Sequence, residues 1–329
     1  MKVLVIRFSS IGDIVLTTPV VRCLARTKGY EVHYLTKQTY RNILESNPYV
    51  HTTHTFTEHI DEVVPKLLTE KFDYVIDLHK NLRSMILRQK LQVKGFTFDK
   101  LNLKKWILVN AGVDLMPKVH IVDRYFTSVK TLGVKYDGQG LDYFLPSSVE
   151  ERVRNLVPNT PFVCLAIGGA HTTKKMPVEN LYQLCRQIER PVVLIGGIED
   201  QLQGEQIANS NKIVFNLCGK LSLHGSATVI KNSNLVISHD TGMMHIAAAL
   251  QKPIVSIWGN TVPQFGMYPL YPRDSAISSY IFQVDHLPCR PCSKIGFDRC
   301  PKRHFRCMAD QDINQIAAKV IELSKIQGN

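Results

Sequence analysis

The sequence predicts an α/β protein made of two Rossmann-like halves, each with a parallel sheet. Three observations carry this. Short β-branched and aliphatic runs alternate with helical patterns from the first residue. The alternation lapses between Tyr136 and Ser148, at Asp137-Gly138-Gln139-Gly140 and Pro146-Ser147-Ser148, and then restarts. A length of 329 residues also fits about two domains of ~100–200 residues each.

In the first half, Lys2–Phe8 reads as a buried strand and Ser9-Ser10-Ile11-Gly12-Asp13 as its turn. A helix follows, with Thr18 as a cap candidate and Pro19 in its first turn, where a missing N–H costs nothing. Glu31–Thr36 and Tyr74–Leu78 are further strands, and Thr53–Phe56 is a shorter candidate between them. Helical patterns cover 39–45, 59–69, 82–90, 104–110 and 122–132. In parallel sheets ligands bind at the carboxyl ends of strands, which selects the turns at Ser9–Asp13 and after Leu78.

In the second half, strands are expected at Phe162–Ile167, Val192–Ile195, Ile213–Leu217, Leu235–Ile237 and Ile254–Ile257. Helices are expected at Val178–Ile188, Glu199–Ala208 and Leu223–Lys231, with Gly168–Met176 as a loop. Ala317–Lys325 reads as a closing amphipathic helix that packs back across the halves. The expected domains are therefore 1–148, 149–309 and a helical tail, 310–329, with the default active site in a cleft between the first two.

Hydrophobic content of 44% and charged content of 21% are ordinary for a globular protein, and no apolar run approaches a ~18-residue membrane span. The N-terminus runs straight into a strand without the signature of a secretion signal, so a cytoplasmic location is expected. A formal charge of +12 favours anionic partners. The basic residues form no dense stripe and no G-x-G-x-x-G follows the first strand, which argues against a nucleic-acid-binding module and a dinucleotide oxidoreductase.

The stretch Ser238-His239-Asp240-Thr241-Gly242-Met243-Met244-His245 sits between an apolar strand and Ile246-Ala247-Ala248-Ala249-Leu250, which reads as a buried helix. Such a turn directs unpaired backbone N–H groups of Thr241 and Gly242 at a phosphate or carboxylate. The competing reading is a capped core helix with a satisfied histidine.

Two stretches together resemble a known family. Val3-Leu4-Val5-Ile6-Arg7-Phe8-Ser9-Ser10-Ile11-Gly12-Asp13-Ile14-Val15-Leu16-Thr17-Thr18-Pro19 is similar to the N-terminus of glycosyltransferase family 9, the ADP-heptose:lipopolysaccharide heptosyltransferases. Asp240-Thr241-Gly242-x-x-His245 resembles that family's donor motif, and Lys174-Lys175-Met176-Pro177 a third element in which methionine replaces the usual tryptophan. The resemblance implies a GT-B architecture, an N-terminal acceptor domain, a C-terminal donor-nucleotide domain, and inverting sugar transfer with no metal and no cofactor. It also implies Asp13 as general base, with Lys174, Asp240, Thr241, Gly242 and His245 in the donor site.

The chemistry of the residues adds to this. A carboxylate at Asp13 can take a hydroxyl proton, although a helix-capping aspartate would look the same. Lys174, or its neighbour Lys175, can neutralise a departing diphosphate, and Thr172 and Thr173 can hydrogen-bond its oxygens. Glu199, with Asp200 as its rival, follows Ile195-Gly196-Gly197 where a ribose is expected. Ser10 and Gly12 flank Asp13, and Arg7, Lys80, Arg83 and Arg124 are candidates for acidic groups of the acceptor. The expected partners are a nucleotide-sugar donor and an acidic lipid-linked glycan met peripherally at the inner membrane surface. Another nucleotide sugar, another surface glycan, or a regulator without transfer activity are the rival readings. Cys289, Cys292, Cys300 and Cys307 cluster irregularly near the end and read as reduced thiols packing a loop, with a four-thiolate zinc site as the alternative.

Overall fold

The computed structural model describes residues 1–149, 153–209 and 211–326, which form two compact units. The first unit comprises Met1–Leu101 and Val119–Phe144, and the second Asn102–Lys118 and Leu145–Asn329. Among the described residues no helix is long and apolar enough to cross a membrane.

The first unit holds β1 (Lys2–Ile6), β2 (Glu31–Lys37), β3 (Thr52–Phe56), β4 (Tyr74–Asp77) and β5 (Gly95–Thr97), all parallel, in the order β3-β2-β1-β4-β5. Val3–Ile6 of β1 are fully buried because this central strand is covered on both faces, which is why it reads as an unbroken aliphatic run. Around the sheet lie α1 (Ile11–Val15), α2 (Thr18–Lys28), α3 (Asn42–Glu45), α4 (Val64–Thr69), α5 (Leu82–Leu91) and α7 (Ile121–Phe126), while α6 (Asn102–Ala111) belongs to the second unit.

Three departures from the expected elements have local causes. Ile11–Val15 is a short helix, so Asp13 lies in its first turn and not in a loop. The helix expected over 59–69 is a 3-10 turn at Ile60–Glu62 followed by α4, which restarts with Pro65 in its first turn. The helix expected over 122–132 stops at Phe126, where Thr127 and Ser128 turn their hydroxyls back onto the carbonyls of Arg124 and Tyr125.

Part of the stretch where the sequence pattern lapses is firmly docked. Arg22, 2% exposed, donates from Nε and Nη2 to the Asp137 carboxylate (2.8 and 2.9 Å), from Nη2 to the Gly140 carbonyl (3.0 Å) and from Nη1 to Asp142. The chain therefore leaves the first unit for the last time only after Phe144.

The second unit holds β6 (Val163–Ala166), β7 (Val192–Ile195), β8 (Val214–Asn216), β9 (Leu235–His239), β10 (Ile254–Trp258) and β11 (Ser279–Gln283), parallel, in the order β11-β10-β9-β6-β7-β8. Its helices are α8 (Val178–Gln187), α9 (Gln201–Ala208), α10 (Leu223–Asn232), α11 (Gly242–Ala249), α12 (Arg306–Ala309) and α13 (Ile313–Ile326). Ile316, Ala317 and Val320 of α13 are buried in the second core with Val163, Leu165 and Ile257, so this helix packs on β9, β10 and α8.

Both sheets follow one wiring: the first strand is central, the next two run out to one side, and the fourth starts the other side. The reversal lies between β1 and β4 in the first unit and between β6 and β9 in the second. At such switch points the loops leaving neighbouring strands diverge and open a crevice at the carboxyl ends. The loops after β1, β4, β6 and β9 carry most of the residues singled out from sequence.

Candidate active site

At the first switch point Arg7 follows β1 and reaches both diverging loops. It donates from Nε to the Ser9 carbonyl (2.8 Å), from Nη1 to the Leu78 carbonyl (2.7 Å), and from Nη2 to Asp13 Oδ1 (2.6 Å). Asp13 Oδ2 accepts from the hydroxyl (2.8 Å) and the backbone N–H (3.2 Å) of Ser10. Burial pushes the Asp13 carboxyl up, but Arg7 and the two Ser10 donors outweigh it and hold the group below the usual carboxylate range. The side chain keeps 23% of its surface exposed, so an ionised, oriented carboxylate remains open to a ligand. Gly12 is buried beside it on α1.

The other basic candidates of this unit behave differently from one another. Lys80 donates its ammonium to the Phe98 carbonyl (2.7 Å), Arg83 is exposed over the Phe8 ring (5.8 Å), and Arg124 is 7% exposed on α7. Arg124 is thus part of the interior and not of an open surface. Two residues escaped the sequence reading. His79 packs against Phe8 (4.6 Å between ring centres), and burial, with Arg7 and Lys100, pulls its imidazole down to about 3, so it is neutral. Lys100 is lowered by burial and by Arg7. Neither belongs to a motif; only the fold brings residue 100 back to β1.

At the second switch point the loop after β6 contributes a 3-10 turn, Thr172–Lys174. Lys174 Nζ donates to the Asp240 carboxylate (2.7 Å) and carbonyl (3.1 Å), and Thr261 donates to the same carboxylate oxygen (2.7 Å). Lys175 goes elsewhere: its ammonium meets Asp200 Oδ1 at 2.9 Å, and Asp200 is fully buried, with its other oxygen accepting from the Gly197 N–H (2.9 Å). A Cβ on Gly168 would meet that carboxylate at 2.6 Å, so glycine is required for the close approach. Glu199 is exposed, its carboxylate lying over Gly197.

Two expectations need correction. The Thr241 N–H is bonded back to the His239 carbonyl (2.8 Å), so it is not available to an anion. The amides open at this turn begin with Gly242, the first residue of α11, which no side chain caps. Thr173 is 2% exposed and exchanges hydrogen bonds with the backbone of Phe297, pinning a loop, and only Thr172 is exposed; both line a cavity of about 340 Å³ with Asp298, Arg299, Cys300, Arg303 and Phe305. His245 lies buried one turn into α11. His239, which the sequence reading passed over, accepts from the Met176 N–H (3.1 Å) and ties the Lys174–Pro177 segment to β9; burial and Lys175 pull it down to about 4.

The eight cysteines are all free thiols. Cys289 Sγ lies 3.6 Å from His304 Nε2, and burial and neighbouring thiols push Cys307 up to about 12. Among the described residues the cysteine cluster does not bring three ligand atoms within reach of one ion.

The family profile described as glycosyltransferase family 9 (heptosyltransferase) matches residues 62–295. Lipopolysaccharide heptosyltransferase 1 of Campylobacter coli is 25% identical over 291 residues, covering 79% of this chain and 84% of that protein. Lipopolysaccharide heptosyltransferase 1 of Pseudomonas aeruginosa is 26% identical over 333 residues, covering 89% and 86%. The structure of Escherichia coli ADP-heptose lipopolysaccharide heptosyltransferase II superposes along the whole of both chains with a TM-score of 0.75 at 18% identity, which shows a common GT-B fold. With most of its length matched by the profile and its two sheets wired as in that fold, the chain belongs to glycosyltransferase family 9, the heptosyltransferases.

Proposed function

We propose that the protein transfers heptose from ADP-heptose to an inner-core acceptor of lipopolysaccharide, with inversion at the anomeric carbon and no metal ion in the transfer step. The observation that carries this reading is the division of charge between the two switch points: an ionised carboxylate, Asp13, in one, and a lysine beside uncapped helix amides in the other. An acceptor hydroxyl loses its proton to Asp13 as its oxygen bonds the anomeric carbon. The bond from that carbon to the diphosphate breaks on the opposite face, and the electron pair leaves with ADP.

Lys174 spends N–H bonds on Asp240, and an ammonium has three donors, so one remains for a phosphate oxygen. Asp240 and Thr261 thereby position a cation whose value grows as charge develops on the leaving group. The first amides of α11, from Gly242, add the positive end of the helix dipole. Glu199 is the group for ribose hydroxyls. Arg7, Arg83 and Lys100 give the acceptor side a positive field suited to carboxylates or phosphates, and the net charge of +12 suits peripheral contact from the cytoplasm with an anionic membrane face.

Thermal stabilisation by a panel of nucleotide sugars tests the donor. ADP and ADP-heptose at about 100 times their Kd are expected to add about 2.7 kcal/mol to the stability of the folded state. Stabilisation by uridine or guanosine sugars alone would overturn the assignment. Transfer is expected to persist in excess chelator, and strict dependence on added magnesium or manganese would contradict the metal-free step.

A further inference from the structure

We propose that His33, His54 and Glu70 form a binding site for a divalent transition-metal ion of the zinc class, at the end of the first sheet opposite its switch point. His33 is the third residue of β2 and His54 the third of β3, and the strand register puts both on one face with Leu35 and Phe56. Both histidines are 1% exposed. His33 Nδ1 and His54 Nε2 face one another at hydrogen-bond distance, 2.8 Å, with the ring planes 13° from parallel. Glu70, just after α4, brings one carboxylate oxygen to 4.0 Å from His33 Nδ1 and the other to 4.0 Å from His54 Nε2. All three ligand atoms fit within 4.8 Å of one another.

Zinc–nitrogen and zinc–oxygen distances of about 2.0–2.2 Å put neighbouring tetrahedral ligands roughly 3.3 Å apart. The rings need to part by about half an ångström and Glu70 to close by less than one to reach that geometry. Two neutral imidazoles and a carboxylate, with a fourth position for water, are a donor set that suits zinc.

The surroundings also suit a metal site. His33 Nε2 lies 2.9 Å from Glu31 Oε1, the carboxylate partner that fixes a ligating histidine's tautomer and leaves its Nδ1 as a lone pair. Lys2 Nζ touches Glu70 Oε2 (2.9 Å) and Glu31 Oε1 (3.4 Å), which leaves Glu70 Oε1 on the side of His54. Such an ion would tie β2 and β3 to the chain after α4, far along the strands from Asp13.

The test is a titration of the chelator-treated full-length chain with Co2+ and Zn2+. One Co2+ per chain is expected, with the visible bands of a four-coordinate nitrogen and oxygen site and no thiolate charge-transfer band, and Zn2+ is expected to displace it and raise the thermal midpoint. Glu31→Gln is expected to weaken binding by about 10–100-fold through the lost partner of His33. Glu70→Gln and His54→Gln remove ligands and are expected to weaken it at least as much. Glu70 is half-buried at the rim, so Glu70→Gln decides the matter even if His54→Gln does not fold. No bound Co2+, a thiolate band reporting the cysteine cluster, or an unchanged Kd in Glu70→Gln would each overturn the proposal.

Discussion

The two switch points share one topology and differ in how their charges are committed. After β1 the carboxylate of Asp13 is held by Arg7 and Ser10 yet stays partly open to solvent. After β6 two adjacent lysines each meet an acid, and their fates diverge: Lys175 is locked to the fully buried Asp200, whereas Lys174 sits beside Asp240 at the mouth of α11 with a donor to spare. The same wiring thus offers an anion in one unit and a cation in the other. Within the second unit, a one-residue step separates a lysine locked to a buried acid from one with a donor to spare.

Substitutions sharpen that contrast. Asp13→Asn is expected to have the largest effect, a loss of about 10²–10⁴ in kcat in a transfer assay, because on the proposed mechanism it removes the proton acceptor, and with it the charge that Arg7 meets. Lys175→Met strands the buried Asp200 and is expected to cost about 3–5 kcal/mol of stability in denaturant unfolding. Lys174→Met, whose partner Asp240 is also held by Thr261, is expected to fold, and to lower kcat/KM by about 10–100-fold through one lost charged hydrogen bond. If the two lysine variants exchanged phenotypes, the division between them would be wrong.

The remaining effects come from pH. His239, at about 4 when folded against an ordinary value near 6.5, stays neutral in the native state while the unfolded chain takes up a proton. Its contribution to stability is present above about 6.5 and is lost as pH falls toward 4. Asp13 is depressed as a carboxylate, so its contribution is present above about 4 and fades only as pH falls through its lower folded value. His239→Gln is expected to flatten the decline of the thermal midpoint between about pH 6.5 and 4, with Asp13→Asn altering only the more acidic end.

Much of this was legible in the sequence, for identifiable reasons. Central strands such as β1 and β7 are buried on both faces and therefore appear as unbroken apolar runs. Edge strands β5 and β11 have half-buried patterns and no such run, and neither was expected. The turns carrying Asp13 and Asp240 stood out because a glycine and an acid follow a strand. Long-range pairing was not legible: Lys175 meets Asp200 only because β6 and β7 lie side by side, and Lys100 returns to Arg7 only through the first sheet. The hydroxyl of Thr173 and the N–H of Thr241 looked available in sequence, but backbone groups claim both.

The most direct test of the division of labour is the affinity for ADP, measured by calorimetry in wild type, Asp13→Asn and Lys174→Met. The account predicts wild-type affinity in Asp13→Asn and about 10–100-fold weaker binding in Lys174→Met. Equal loss in both variants, or full affinity in Lys174→Met, would contradict it.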